Sequence, residues 1–211
     1  MIDTQAASTA LLAGIVAGVL FLVIPTIEVF RRPGFDIERH AISMLSLGPG
    51  GWVMKAVFIV TGLLTLFSAW GVYQAIGSGI AGLIAAILFA LYGVGLVLAG
   101  LFDAPAGLGF PIGTPMDQEP VMTTAATLHS LAFMIAFGAL ILSCFVFAWY
   151  LAADGQTLLA MLSGVVGLLL PALIYLGVSS TIAPGIAFYW AAMAGWAWLG
   201  VVLWALVSNY A

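Results

Sequence analysis

Charge is what this sequence has least of. Only 6% of its 211 residues are Asp, Glu, Lys or Arg. A water-soluble domain carries roughly a quarter, enough to coat its surface. With 4 basic and 8 acidic residues, this chain cannot coat a soluble globule of its length. A soluble enzyme and a disordered protein are therefore excluded. A net charge of -4 leaves no basic stripe for DNA or RNA, so nucleic acid is not a partner. Cysteine is nearly absent as well. Cys144 stands alone in an apolar run, which rules out an intrachain disulfide and a thiolate metal cluster. It reads as a small packing residue. Residues 1–7 carry Asp3 but neither Lys nor Arg, so the positive n-region of a signal peptide is missing. The first apolar run is expected to be a membrane span rather than a cleavable leader. Period-2 alternation is also missing, which excludes a β-barrel.

What is present is apolar: 64% hydrophobic residues and a mean hydropathy of +1.25. About 20 apolar residues cross a hydrocarbon core, and backbone in lipid must satisfy its own hydrogen bonds as helix. Six runs qualify, at 8–30, 52–76, 80–102, 125–151, 156–178 and 185–207, separated by breaks rich in Gly, Pro, Ser and Asp. The expected fold is all-α: one polytopic domain, 1–211, with six transmembrane helices in a single bundle. Gly14 and Gly18 have the G-x-x-x-G spacing of close helix contacts. Pro25 and Pro171 should kink their helices. Trp190 and Trp204 suit the two interfaces, while Trp196 and Trp198 lie deeper and should find partners for their indole N–H groups inside the bundle.

Two connections, 31–51 and 103–124, are long. By counting spans they lie on the same side. Every Asp, Glu, Lys and Arg except Asp3 and Asp154 falls in or beside them, as do both histidines. One end of the bundle is thus polar. The segment 36–47 reads as a short interfacial helix, with Asp36 as N-cap and Gly48-Pro49 as its stop, and it puts His40 and Ser43 on one face. Glu28 should pair locally with Arg31 and Arg32. Asp103 follows the C-terminal end of the third span, where a carboxylate opposes the helix dipole. Compensation is expected from Arg32, Arg39, His40, His129 or a metal. His129 falls one turn into the fourth helix, after a cap at Thr123 or Thr124. The positive helix end there disfavours imidazolium.

His40, Ser43, Asp103 and His129 are the candidate catalytic residues. Two histidines and a carboxylate, His40, Asp103 and His129, could hold zinc with an open position for water. Zinc is the cofactor this set suggests; no cofactor is required by the sequence. Ser43 would then position the substrate, with Arg32 and Arg39 on an anionic headgroup. A Ser-His-Asp triad could be drawn from the same residues, without a nucleophile-elbow motif to support it. Thr61, Thr65 and Ser68, at i, i+4 and i+7, either line a cavity leading down from the polar end or serve as interhelical glue. Retinal is excluded, because Lys55, the one lysine, is at a helix start. Ion transport lacks a mid-span carboxylate. The preferred function is binding of a small amphiphile or lipid headgroup at a polar mouth between the two loops. The alternatives are a membrane-embedded hydrolase, zinc-dependent or not, and a structural partner subunit.

The stretch Arg32-Pro33-Gly34-Phe35 with Arg39-His40-Ala41-Ile42-Ser43-Met44-Leu45-Ser46-Leu47-Gly48-Pro49-Gly50-Gly51-Trp52 resembles the bacterial and archaeal membrane family termed domain of unknown function 998. So do Gly100-Leu101-Phe102-Asp103, Gly109-Phe110-Pro111 and Leu128-His129. The resemblance runs from about 31 to 151. It implies that Arg32, His40, Ser43, Asp103 and His129 belong to one recurring pattern, and it implies no reaction. A fainter similarity links the chain to ceramidase-like membrane hydrolases, whose pattern uses three histidines where this chain has two. The expected location is the cell membrane. The positive-inside rule alone would put the 31–51 loop in the cytoplasm. If Arg32 and Arg39 are site residues they do not count as topology signals, and the polar end is then expected outside.

Overall fold

The computed structural model of the protein describes residues 4–208; Asp3, counted above among the charges away from the polar end, lies outside them. Six α-helices follow one another: α1 (Thr4–Arg31), α2 (Trp52–Ile76), α3 (Ile80–Leu101), α4 (Thr124–Ala153), α5 (Thr157–Val178) and α6 (Pro184–Ser208). All six are long and apolar enough to cross a membrane. The chain is a multi-pass membrane protein whose surroundings are a lipid bilayer. The helices begin and end close to where the apolar runs do, because turn residues punctuate them. Gly77 and Gly155 take positive φ values of 93° and 77° at two tight connections, which glycine adopts without strain. Thr123 caps α4, its Oγ1 accepting the Ala126 N–H at 3.1 Å.

Each helix packs on its neighbours in sequence, and α6 returns to α1, so the six close into a ring. Lipid offers no hydrophobic drive for helix association, so close backbone approach and interhelical bonds must supply it. The α2–α3 contact shows how. A Cβ at Gly62 would lie 2.7 Å from the Gly93 carbonyl oxygen, and a Cβ at Gly93 the same distance from that of Gly62. Gly14 of α1 sits equally tightly against Ser68 of α2 and Leu203 of α6. Thr61 and Thr65 are fully buried and donate to their own helix, to the carbonyls of Val57 and Thr61 at 2.7 and 2.8 Å. The hydroxyl stripe therefore runs through helix packing. Trp198 finds the expected partner, donating to Ser163 Oγ at 2.9 Å. Trp196 does not: its indole N–H is buried without a hydrogen bond among the described residues. Trp190 and Trp204 are exposed on the outside of the bundle. Cys144 is fully buried in the core.

The interfacial helix is smaller than the sequence suggests. Only Ile42–Ser46 is helical, as a 3-10 turn. Residues 36–40 instead form a closed turn in which Asp36 Oδ1 accepts from the Glu38 N–H and the Asp36 carbonyl accepts from Arg39 and His40. Ala41 is extended (φ -62°, ψ 144°) and breaks the helix between His40 and Ser43, so the two do not share a helical face.

The glycine contact between α2 and α3 makes a direct prediction. Gly62→Val should destabilise the bundle by about 1–3 kcal/mol through overpacking, and Gly164→Val, at a position with open space, by much less. Equal thermal unfolding of the two variants in detergent would contradict this account.

Candidate functional site

The two long loops fold onto each other at one end of the ring. In the second loop, Leu108 N–H bonds to the Gln118 carbonyl and Val121 N–H to that of Ala106. This hairpin-like fold drives Phe110 inward, where it is 1% exposed. Phe110 meets Phe35 edge-on (centroids 5.4 Å), His40 (5.3 Å) and the Arg32 guanidinium (5.8 Å). With Met44, Leu47 and Ala104 it forms a small second core. The polar end is thus closed by an aromatic plug.

His40 holds this plug. Its Nδ1 accepts the Asp36 backbone N–H at 2.9 Å, and its Nε2 lies 2.9 Å from the Leu108 carbonyl oxygen. The two partners fix a neutral ring with the proton on Nε2. Both nitrogens are consumed by backbone, one from each loop, and neither is left for a metal or a substrate. Arg32 is nine-tenths buried. It donates to the Leu47 carbonyl and pairs with Glu28 at 3.6 Å. Glu28 also receives Arg31, as its spacing suggests. Arg39 pairs with Asp36 at 3.4 Å on the surface.

Asp103 is compensated by Lys55 and not by Arg32, Arg39, His40, His129 or a metal. Lys55, in the first turn of α2, reaches its carboxylate at 2.6 Å, with both side chains partly exposed. Helices α2 and α3 are antiparallel neighbours, so a cation at the start of one falls beside the end of the next. Among the described residues no three His, Cys, Asp or Glu side chains come together as a metal site. The donors also fail on chemistry, since His40 is saturated and Asp103 is turned to Lys55. The suggested zinc does not fit His40, Asp103 and His129.

His129 is different. Its Nδ1 lies 3.1 Å from the Ala99 carbonyl oxygen and 2.9 Å from that of Phe102. Two acceptors require a proton on Nδ1, so the ring closes off carbonyls left unpaired at the end of α3. Nε2 is left with its lone pair and has no partner among the described residues. It lines a cavity of about 230 Å³ that runs inward from the plug between α1, α2, α3, α4 and α6. Ser43 lines the outer end of the same cavity and Tyr92 and Trp196 the inner end, with Phe58 and Phe137 among the walls. From Ala99 to Tyr92 along α3 is about 10 Å at 1.5 Å per residue. The Ser43 hydroxyl, the Tyr92 hydroxyl and the Trp196 N–H likewise have no hydrogen-bond partner among the described residues.

The structure therefore brings Ser43 and His129 to one cavity. It places His40 in the plug, Asp103 and Arg39 in surface ion pairs, Arg32 beneath the loops, and Thr61 and Thr65 in helix packing. Tyr92 and Trp196 were missed as site residues. The only signal was their position: an O–H or N–H in mid-span needs a partner.

Replacing His40 by Ala should unlatch the loops. It strands the Leu108 carbonyl and the Asp36 N–H, at a cost of about 1–3 kcal/mol, and should speed proteolysis within 103–123. Arg39→Ala, which removes an exposed pair, should cost less than about 1 kcal/mol. Unchanged cleavage in the His40 variant would show that the latch does not hold the loops.

A family model described as a protein of unknown function, DUF998, matches residues 15–205. No curated protein and no solved structure matches, and the fainter likeness to ceramidase-like hydrolases gains no support. The match extends well beyond the blocks that carry the resemblance and reaches from within α1 to within α6: the chain belongs to the DUF998 family.

Proposed function

We propose that this protein binds a small amphiphile in the cavity between α1, α2, α3, α4 and α6. The polar end of the ligand lies between Ser43 and His129, and its apolar part extends towards Phe58, Phe137 and Trp196. One observation carries this reading: an apolar cavity at membrane depth lined by His129, whose Nδ1 is spent on two carbonyls, and by Ser43 and Tyr92, whose polar side-chain atoms have no further partner among the described residues. Buried polar groups left unpaired destabilise a fold, and in a native protein they call for an explanation such as a ligand or water. The volume exceeds that of an engineered cavity of about 150 Å³ which takes up benzene. It suits a ring or a short acyl segment. A non-catalytic binder or carrier needs nothing more. The hydrolase alternative loses two of its named residues to backbone and to Lys55, and a structural subunit gives no reason for the cavity.

Lipid extraction and mass spectrometry of the purified protein test this. The wild type should release a bound amphiphile in near-stoichiometric amount, and Ala192→Leu, which fills the cavity wall, should lose it while unfolding at a similar temperature. A wild type that carries nothing above the detergent background, or a variant that retains the same load, would refute the reading.

We further propose that the polar end faces the extracytoplasmic side. All four Lys and Arg are held in ion pairs, so they serve structure rather than orientation. In intact cells Met116→Cys, on the exposed loop, should react with a membrane-impermeant maleimide. Labelling only after lysis would reverse the assignment.

A further inference from the structure

The cavity carries no formal charge, and this limits what it can hold. Seventeen residues line it and none is Asp, Glu, Lys or Arg. Nor can a cation be recruited from nearby without breaking an ion pair. Arg31 and Arg32 are bound to Glu28, Arg39 to Asp36 and Lys55 to Asp103, and these four are the only Lys and Arg in the chain. An ionised carboxylate or phosphate would enter an apolar space with no counter-charge, which is among the most unfavourable transfers in protein chemistry. The sequence expectation of an anionic headgroup on Arg32 and Arg39 has no counterpart in the cavity.

The polar groups that do face it define a complementary partner. His129 is fixed by two carbonyls with its proton on Nδ1, so its Nε2 can only accept while the ring is neutral. The Ser43 hydroxyl beside the same outer end can donate. Deeper in, Trp196 forms part of the wall with its ring; its indole N–H is buried away from the cavity space, without a partner among the described residues. We infer that the ligand is a neutral amphiphile whose head is a hydroxyl, a group that both donates to His129 Nε2 and accepts from Ser43, and that fatty-acid anions and anionic lipid headgroups are excluded. The inference rests on the proposed binding in this cavity and deepens it.

The probes are 8-bromooctan-1-ol and 8-bromooctanoate at pH 8, where the acid is ionised. Both are titrated into the full-length protein in nanodiscs, and tryptophan fluorescence quenching by bromine is followed. The alcohol should quench saturably, beyond the linear quenching caused by partition into lipid, and Trp196→Phe should remove most of the saturable part. The acid should bind at least tenfold more weakly. His129→Asn keeps an N–H for the Ala99 and Phe102 carbonyls but places no acceptor where Nε2 stood; it should weaken the alcohol about tenfold at unchanged thermal stability. Ser43→Ala should weaken it severalfold. If the acid saturates as tightly as the alcohol, the neutral class is wrong and the cavity still binds. If neither compound quenches saturably, the binding reading itself fails. If the alcohol binds and His129→Asn binds it equally well, the assigned head-group contact is overturned.

Discussion

Inside a bilayer, an unpaired polar group has no water to turn to, and this constraint organises the whole protein. It makes the six apolar runs helices, since helix satisfies its own backbone. It sends Thr61 and Thr65 back to the carbonyls of their own turn and Trp198 to Ser163. It also decides the fate of the helix end that the constraint cannot satisfy locally. The last carbonyls of α3 take their proton from His129 of the next helix, which ties α3 to α4 at the rim. Where the constraint goes unmet among the described residues, at Ser43, Tyr92, Trp196 and the outer nitrogen of His129, the residues concerned all line one cavity.

The same accounting separates two histidines that look alike in sequence. His40 lies within one long loop and His129 just past the other, and both read as candidate ligands or bases. His40 spends its two nitrogens on backbone from two different loops and so becomes a fastener. His129 spends one and keeps one. The difference lies entirely in which carbonyls and amides the folded loops present. Leu108 is distant in sequence from His40 and carries no polar side chain, so nothing in the sequence marks it as a histidine partner.

Fold and site differ in how far they can be read from residues alone. The span boundaries are legible because hydropathy and turn residues change abruptly at places such as Gly77-Ser78-Gly79. The pairing of Glu28 with Arg31 and Arg32 is legible because helix spacing fixes it. The common side of the two loops follows from counting spans. What is not legible depends on contacts between distant segments. Lys55 reaches Asp103 because α2 and α3 run antiparallel, the register of which no local pattern encodes. Phe110 reads as one more aromatic in a loop, yet the Leu108–Gln118 and Val121–Ala106 bonds turn it into a plug. The segment 36–47 has a plausible cap and stop for a helix, but His40 competes by bonding Asp36 N–H, and a turn wins.

The ring closes through its first and last members. Gly14 receives Leu203 and Gly18 lies against Trp196, so a face of α1 is shaped for α6, at the far end of the chain. Phe21 of α1 stacks on Trp196 at 5.2 Å, and both belong to the cavity wall. During synthesis the pocket therefore does not exist until the sixth span has left the ribosome and entered the bilayer. Until then α1 waits with an open seam, and any lipid resting there must be displaced before the chamber is sealed.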